Sequence, residues 1–139
     1  MLMSQKELFA FDQAITATAI SENVIQLNDA GTVHGEGAAI ARNFGKGTPI
    51  KIHVQATEAF TTLTSLTVTV ETSAAAALTS STVLYSSGAI VAADLVAGYE
   101  FTLDKLPDAE LLDFIGLRFT VGGSNAGSGK ITAGYVQDK

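Results

Sequence analysis

Apolar and polar residues alternate one for one along several short stretches of this chain, most clearly between residues 49 and 72. Ile50, Ile52, Val54 and Ala56 fall on one side, with Lys51, His53 and Gln55 on the other. Leu66, Val68 and Val70 then alternate with Thr67, Thr69 and Glu71. Successive side chains of a strand face opposite sides of a sheet, so this period of two predicts two half-buried β-strands. β-Branched residues fit a pleated surface, and threonine keeps that preference on the wet side. Burying one Ile, Leu or Val contributes roughly 1.5–3 kcal/mol. Two such faces can seed a core, but the covering sheet must come from elsewhere in the chain.

The same period recurs on both sides of this stretch. Residues 14–27 read as two short strands, ITATAI and NVIQL, and residues 82–85 and 89–91 as strand material divided by Ser86, Ser87 and Gly88. Tyr99, Phe101 and Leu103 share a face. Ile115, Leu117, Phe119 and Val121 point inward from a strand that carries Arg118 on its other side, and Ile131, Ala133 and Tyr135 form the last strand. Between these runs lie segments without alternation. Residues 28–47 carry five glycines and predict a long loop, a kind that in a compact domain is usually functional or disordered. Residues 73–81 predict a weak helix or an irregular crossing, residues 107–113 a short helical turn begun by Pro107, and residues 122–129 a flexible loop.

At the N-terminus, Ser4 and Glu7 have capping-box spacing, so one helical turn over residues 4–10 and a flexible arm are both open. Leu8, Phe9 and Phe11 lie unusually near an end that is commonly polar and frayed. The reading is therefore an arm over residues 1–13 that packs on its own domain or on another subunit, then a single domain over residues 14–139. About eight short strands separated by turn signals, with no long helix, predict an all-β antiparallel jelly roll or β-sandwich.

Length and composition narrow the function. The 139 residues suit one domain and are 47% hydrophobic against 16% charged. A net charge of −6 with eight scattered Lys and Arg speaks against nucleic acid, whose phosphates require clustered cations. The absence of cysteine removes disulfide, thiolate-zinc and thiol chemistry and fits synthesis in a reducing cytoplasm. The opening residues are broken by Lys6, Glu7 and Asp12 and lack the apolar core of a signal peptide, and no run approaches a membrane span.

Catalytic patterns fail on inspection. The GSNAGSGKI tail has Ser124 where a phosphate loop needs glycine and Ile131 where it needs Ser or Thr, and it leads into a strand. Only two histidines exist, His34 and His53, and neither has a second ligand at helical or alternate-strand spacing, so no metal is expected. His53 reads as a wet-face strand residue. Ser124 misses the nucleophile elbow because Ala126 stands where glycine is required. Asp108, Glu110 and Asp113 lack the oxygen-rich, glycine-turned loop of a calcium site. No enzyme and no cofactor are expected.

In order along the chain, LFAFDQAITATA, SENVIQL, GKGTPIKIHVQ, SLTVTVETS, SSGAIVAADLVAG and LRFTVGGSNAGSGKITAGYV resemble the Bbp16-like capsid cement (decoration) proteins of tailed bacteriophages, over residues 8–136. The resemblance implies a jelly roll on the outer surface of the virion, made in the host cytoplasm and bound to a major capsid protein of the HK97-like fold. It also implies homodimers at local two-fold axes, with a trimer as the second possibility. Residues 28–44 are the least family-like part. The capsid contacts expected on this basis are Leu8, Phe9 and Phe11 of the arm, and His34, Arg42, Phe44 and Lys46 of the glycine-rich loop. The alternative for the phenylalanines is that they cap the domain's own core. A carbohydrate- or receptor-binding jelly-roll module is the rival function. Such a module usually needs exposed Trp or Tyr, and this chain has no Trp and only Tyr85, Tyr99 and Tyr135.

Overall fold

Nine strands build two facing antiparallel sheets in the computed structural model, which describes residues 3–27, 31–42, 51–103 and 109–136. They are β1 (Leu8–Ala14), β2 (Ala19–Ile20), β3 (Ile25–Gln26), β4 (Ile52–Thr61), β5 (Ser65–Ser73), β6 (Thr82–Val91), β7 (Glu100–Phe101), β8 (Phe114–Gly122) and β9 (Ser128–Tyr135). The first sheet has the order β1-β9-β4-β7 and the second β2-β8-β5-β6, with β3 also on β8. The pairs nest: β1 with β9, β2 with β8, β4 with β7 and β5 with β6. A ribbon folded in half and wrapped into two layers has this order, the jelly-roll form of the β-sandwich.

The predicted inward sets meet in one core. Val54, Ala56, Leu66, Val68, Val70, Ile115, Leu117, Phe119, Ile131 and Ala133 are all fully buried. Ile50 lies outside the described residues. Phe101 and Leu103 are buried as expected, and Tyr99 meets Phe101 edge-on at 5.2 Å.

Several expectations are corrected. The segment read as an arm contains β1, hydrogen-bonded along β9, and Phe9 sits in the core with its ring 5.2 Å from that of Tyr135. Among the described residues only the short 3-10 turn Gln5–Glu7 precedes it; Ser4 stands at its start without a side-chain cap bond. The open side of β9 needs a partner, and the partner comes from the far end of the chain. Within ITATAI only Ala19 and Ile20 pair, because Ile15 turns into the core while the Thr16 carbonyl and Thr18 hydroxyl accept bonds from Ala126 and Val121. The two predicted runs at 82–91 are one strand, since bulges absorb the extra residues. Residues 73–81 take the irregular form. Of the predicted helical turn, Pro107 and Asp108 lie outside the described residues, and residues 109–113 are not helical.

The loop at 122–129 is tied down. The Gly127 amide donates to the Thr61 carbonyl at 3.0 Å and to the Thr62 hydroxyl at 2.6 Å, and the Thr64 amide to the Gly122 carbonyl at 2.9 Å. At Gly129, where φ is +135°, a β-carbon would run into the Phe60 ring. Glycine here permits close approach. Thr62, a β-branched residue at φ 69°, is held in that strained region by its two short hydroxyl bonds.

Candidate functional site

A jelly roll places its connections at two ends. The β1–β2, β4–β5, β6–β7 and β8–β9 connections share one end, and the β3–β4, β5–β6 and β7–β8 connections the other. At the first end all four are cross-linked through the backbone: Ala126 to Thr16, Thr64 to Gly122, Ala92 to Thr64 and Phe60 to Leu95. Ile15, Leu63 and Leu95 plug the gap between the sheets there.

The second end carries the long loop. Within it Thr32 and Ala39 form an antiparallel bridge, the Ile40 amide bonds the Gly31 carbonyl at 3.1 Å, and the Glu36 amide bonds the Val33 carbonyl at 2.9 Å. The result is a small hairpin whose residues 31–41 are all exposed. Its base is pinned. The Leu111 amide donates to the Arg42 carbonyl at 2.8 Å, and the Arg42 guanidinium pairs with Asp113. The hairpin displays Ile40 at 57% and Val33 at 51% exposure, with His34 beside Val33, and Leu112 is exposed near its base. Val33 and Ile40 thus stand in water on an anchored hairpin, where a partner could reach them.

The expected contact residues therefore divide. His34 and Arg42 belong to the hairpin, His34 at the exposed turn and Arg42 at the base. Phe44 and Lys46 lie outside the described residues. Phe11 projects from β1 at 70% exposure. Leu8 is half-buried, its side chain lying over Gly134 on the outer face of the first sheet. Phe9 is swallowed by the core, so it takes the core-capping alternative and offers no contact surface. Val33, Ile40 and Leu112 were not singled out from sequence. Their signal was there for the first two: apolar residues without periodic companions in a glycine-rich stretch.

Two polar residues expected on wet faces are also buried. His53 is on the outer face of the first sheet, opposite Gly134, yet only 8% exposed. It borders a shallow pocket of about 200 Å³ with Lys51, Glu100, Thr102 and Val136, and its Nε2 is 3.4 Å from Gln55 Oε1. Glu71, on the outer face of the second sheet, is 3% exposed. Its carboxylate accepts from Arg118 Nε at 3.0 Å, Thr69 Oγ1 at 2.8 Å and Ser81 Oγ at 2.6 Å, while Arg118 Nη2 reaches the Leu78 carbonyl at 2.9 Å. The 74–81 connection folds back over this ion pair and sets Leu78 against Gly116 and Val24. Charges taken out of water in this way need the full set of partners seen here.

On the other outer face, Thr57 donates to Asp12 at 2.7 Å, and Lys130 lies 3.5 Å from Asp12 and 3.4 Å from Glu58. The Thr57 hydroxyl, helped by Lys130, lowers the Asp12 pKa, and Glu58 with Asp12 raises that of Lys130. Burial, with a contribution from Glu7, pushes the Tyr135 phenol up to about 12.

Among the described residues no three His, Asp or Glu side chains group as metal ligands, and no helix is long and apolar enough to cross a membrane. The described surface offers contact area on a stiff sandwich, which is the character of a structural or binding domain. The chain belongs to the Bbp16 family, whose model matches residues 9–136. That family is phage-associated, which makes this a phage structural protein associated with the virion. No curated protein matches the chain.

Proposed function

We propose that this protein is a capsid cement: it binds the outer surface of an HK97-like major capsid protein shell and bridges neighbouring capsomers in the mature head. The observation that carries the reading is the pinned, exposed hairpin at the long-loop end, with Val33, His34 and Ile40 in water, on a member of a phage structural family. Phe11, on the first sheet's edge, is a second exposed anchor of the kind interface centres favour. The mechanism is differential binding. A ligand that prefers the expanded shell stabilises it by mass action. A closed two-fold dimer presents the same patch twice and so holds two capsomers at raised effective concentration.

The carbohydrate-binding alternative has weaker support. Tyr99 packs edge-on against Phe101, Tyr135 lies tilted against Phe9, and the Tyr85 hydroxyl donates to the Thr102 carbonyl, so all three tyrosines are engaged by their own domain.

Purified protein added to expanded heads lacking it should co-sediment with them and raise their thermal stability. The Val33→Asp/Ile40→Asp variant should lose at least tenfold in head affinity while melting within a degree or two of the wild type. Heads that gain neither bound protein nor heat resistance overturn the reading.

A further inference from the structure

The four sheet edges of the sandwich are unequal. Among the described residues the first sheet ends on β1 and β7, the second on β2 (with β3 also on β8) and β6. An exposed strand edge is a template for another chain, and proteins blunt it with short strands, charges or bulges. Strands β2, β3 and β7 are two residues each. Strand β1 carries Asp12 at φ 51° and two register shifts against β9. Strand β6 differs: it is ten residues long, and TVLYSSGAIV contains neither charge nor proline. Bulges interrupt it, but both of its ends display valine, Val83 and Val91.

We infer that β6 is the surface through which two copies of this chain pair, antiparallel and edge to edge, about a two-fold axis at Ser87. The inference rests on the proposed reading of the particle as a closed dimer and assigns its interface. Val83 lies opposite Glu71 on β5, and Val91 opposite Ser65, so both valines share the outward face of the second sheet, away from Leu66, Val68 and Val70. Ser87 is midway between them in sequence. An antiparallel copy turned about Ser87 therefore sets Val83 of each chain against Val91 of the other, twice. The edge is its own complement, which is what an isologous contact requires. Charge favours the same choice. Two chains of net charge −6 repel, and the uncharged β6 edge is where they can meet without opposing carboxylates in contact. The bulges break the ladder into short runs, which suits one partner in one register rather than open-ended stacking.

The test compares two double variants with the same number of charged side chains, using the full chain and sedimentation with light scattering. The wild type should have twice the 14.4 kDa chain mass. Val83→Lys/Val91→Lys places like charges opposite each other and should fall to the single-chain mass. Val83→Lys/Val91→Glu places opposite charges together in the same register and should keep the doubled mass. A monomeric wild type, or two variants with the same mass, overturns the inference. Co-sedimentation with heads separates this from the capsid reading. Mass changes as expected without head binding leave the edge standing and remove the capsid role. Head binding with a mass that neither variant changes does the reverse.

Discussion

The two ends of the sandwich solve the same problem, closing a two-layer sheet, in opposite ways. At the short-loop end the connections are bonded to one another through the backbone, and apolar residues fill the mouth. At the long-loop end the β3–β4 connection extends a hairpin into water from a pinned base, and the β5–β6 connection folds back onto the sheet over buried Glu71 and its partner Arg118. Glycine marks both ends and means different things. Gly129 approaches Phe60 too closely for any side chain, whereas Gly31, Gly35 and Gly37 have nothing within 4 Å of a β-carbon. Glycine content therefore does not measure mobility. What separates a stiff end from a presenting one is whether the bonds between loops hold them throughout or stop at the base, as the Leu111–Arg42 bond does below the hairpin.

The largest test of that contrast exchanges glycine for alanine at each end. Gly129→Ala meets Phe60 and a left-handed backbone together, so it should cost about 4 kcal/mol in urea unfolding. Gly37→Ala should stay within about 0.5 kcal/mol. Equal costs would erase the distinction between the ends.

Next in size is the buried carboxylate. Glu71→Ala strands Arg118 and frees Ser81, and should cost about 3 kcal/mol, with amide exchange rising first across residues 74–81. Exchange rising uniformly over the sheet would mean the ion pair serves the whole core rather than that connection.

The smallest effect concerns Tyr135, where β1 closes the first sheet. Its phenol ionises near pH 12 in the folded chain, against about 10 when unfolded. A raised phenol pKa means the unfolded chain loses its proton first. This contribution is intact below pH 10 and is lost as pH rises toward 12, by roughly 2–3 kcal/mol at the upper end. Tyr135→Phe keeps the ring against Phe9 and should flatten that alkaline loss. An unchanged pH profile would show that Tyr135 is not shielded by β1.

Much of the sandwich was legible in advance. Strands β4, β5, β8 and β9 follow their alternation, and the inward sets Leu66, Val68, Val70 and Ile115, Leu117, Phe119 are all buried. The glycine-rich loop was legible as the place where the pattern fails, and His34 and Arg42 do share its hairpin. The role of Phe9 was not, because β1 finds its partner β9 at the opposite end of the chain. Burial of Glu71 was also hidden. It occupies a correct wet-face position, and the connection that follows β5 folds back over that face and over half-buried Arg118.

By itself the sequence determined which side chains share a strand face, since facing is a property of neighbours two residues apart, and it determined the family. Only the tertiary structure decided which faces are covered twice, which glycines are clamped and which apolar residues remain in water. Those depend on how separate segments meet, from Ser81 folding back on Glu71 to β1 finding β9 at the opposite end of the chain, and no local period records such a meeting.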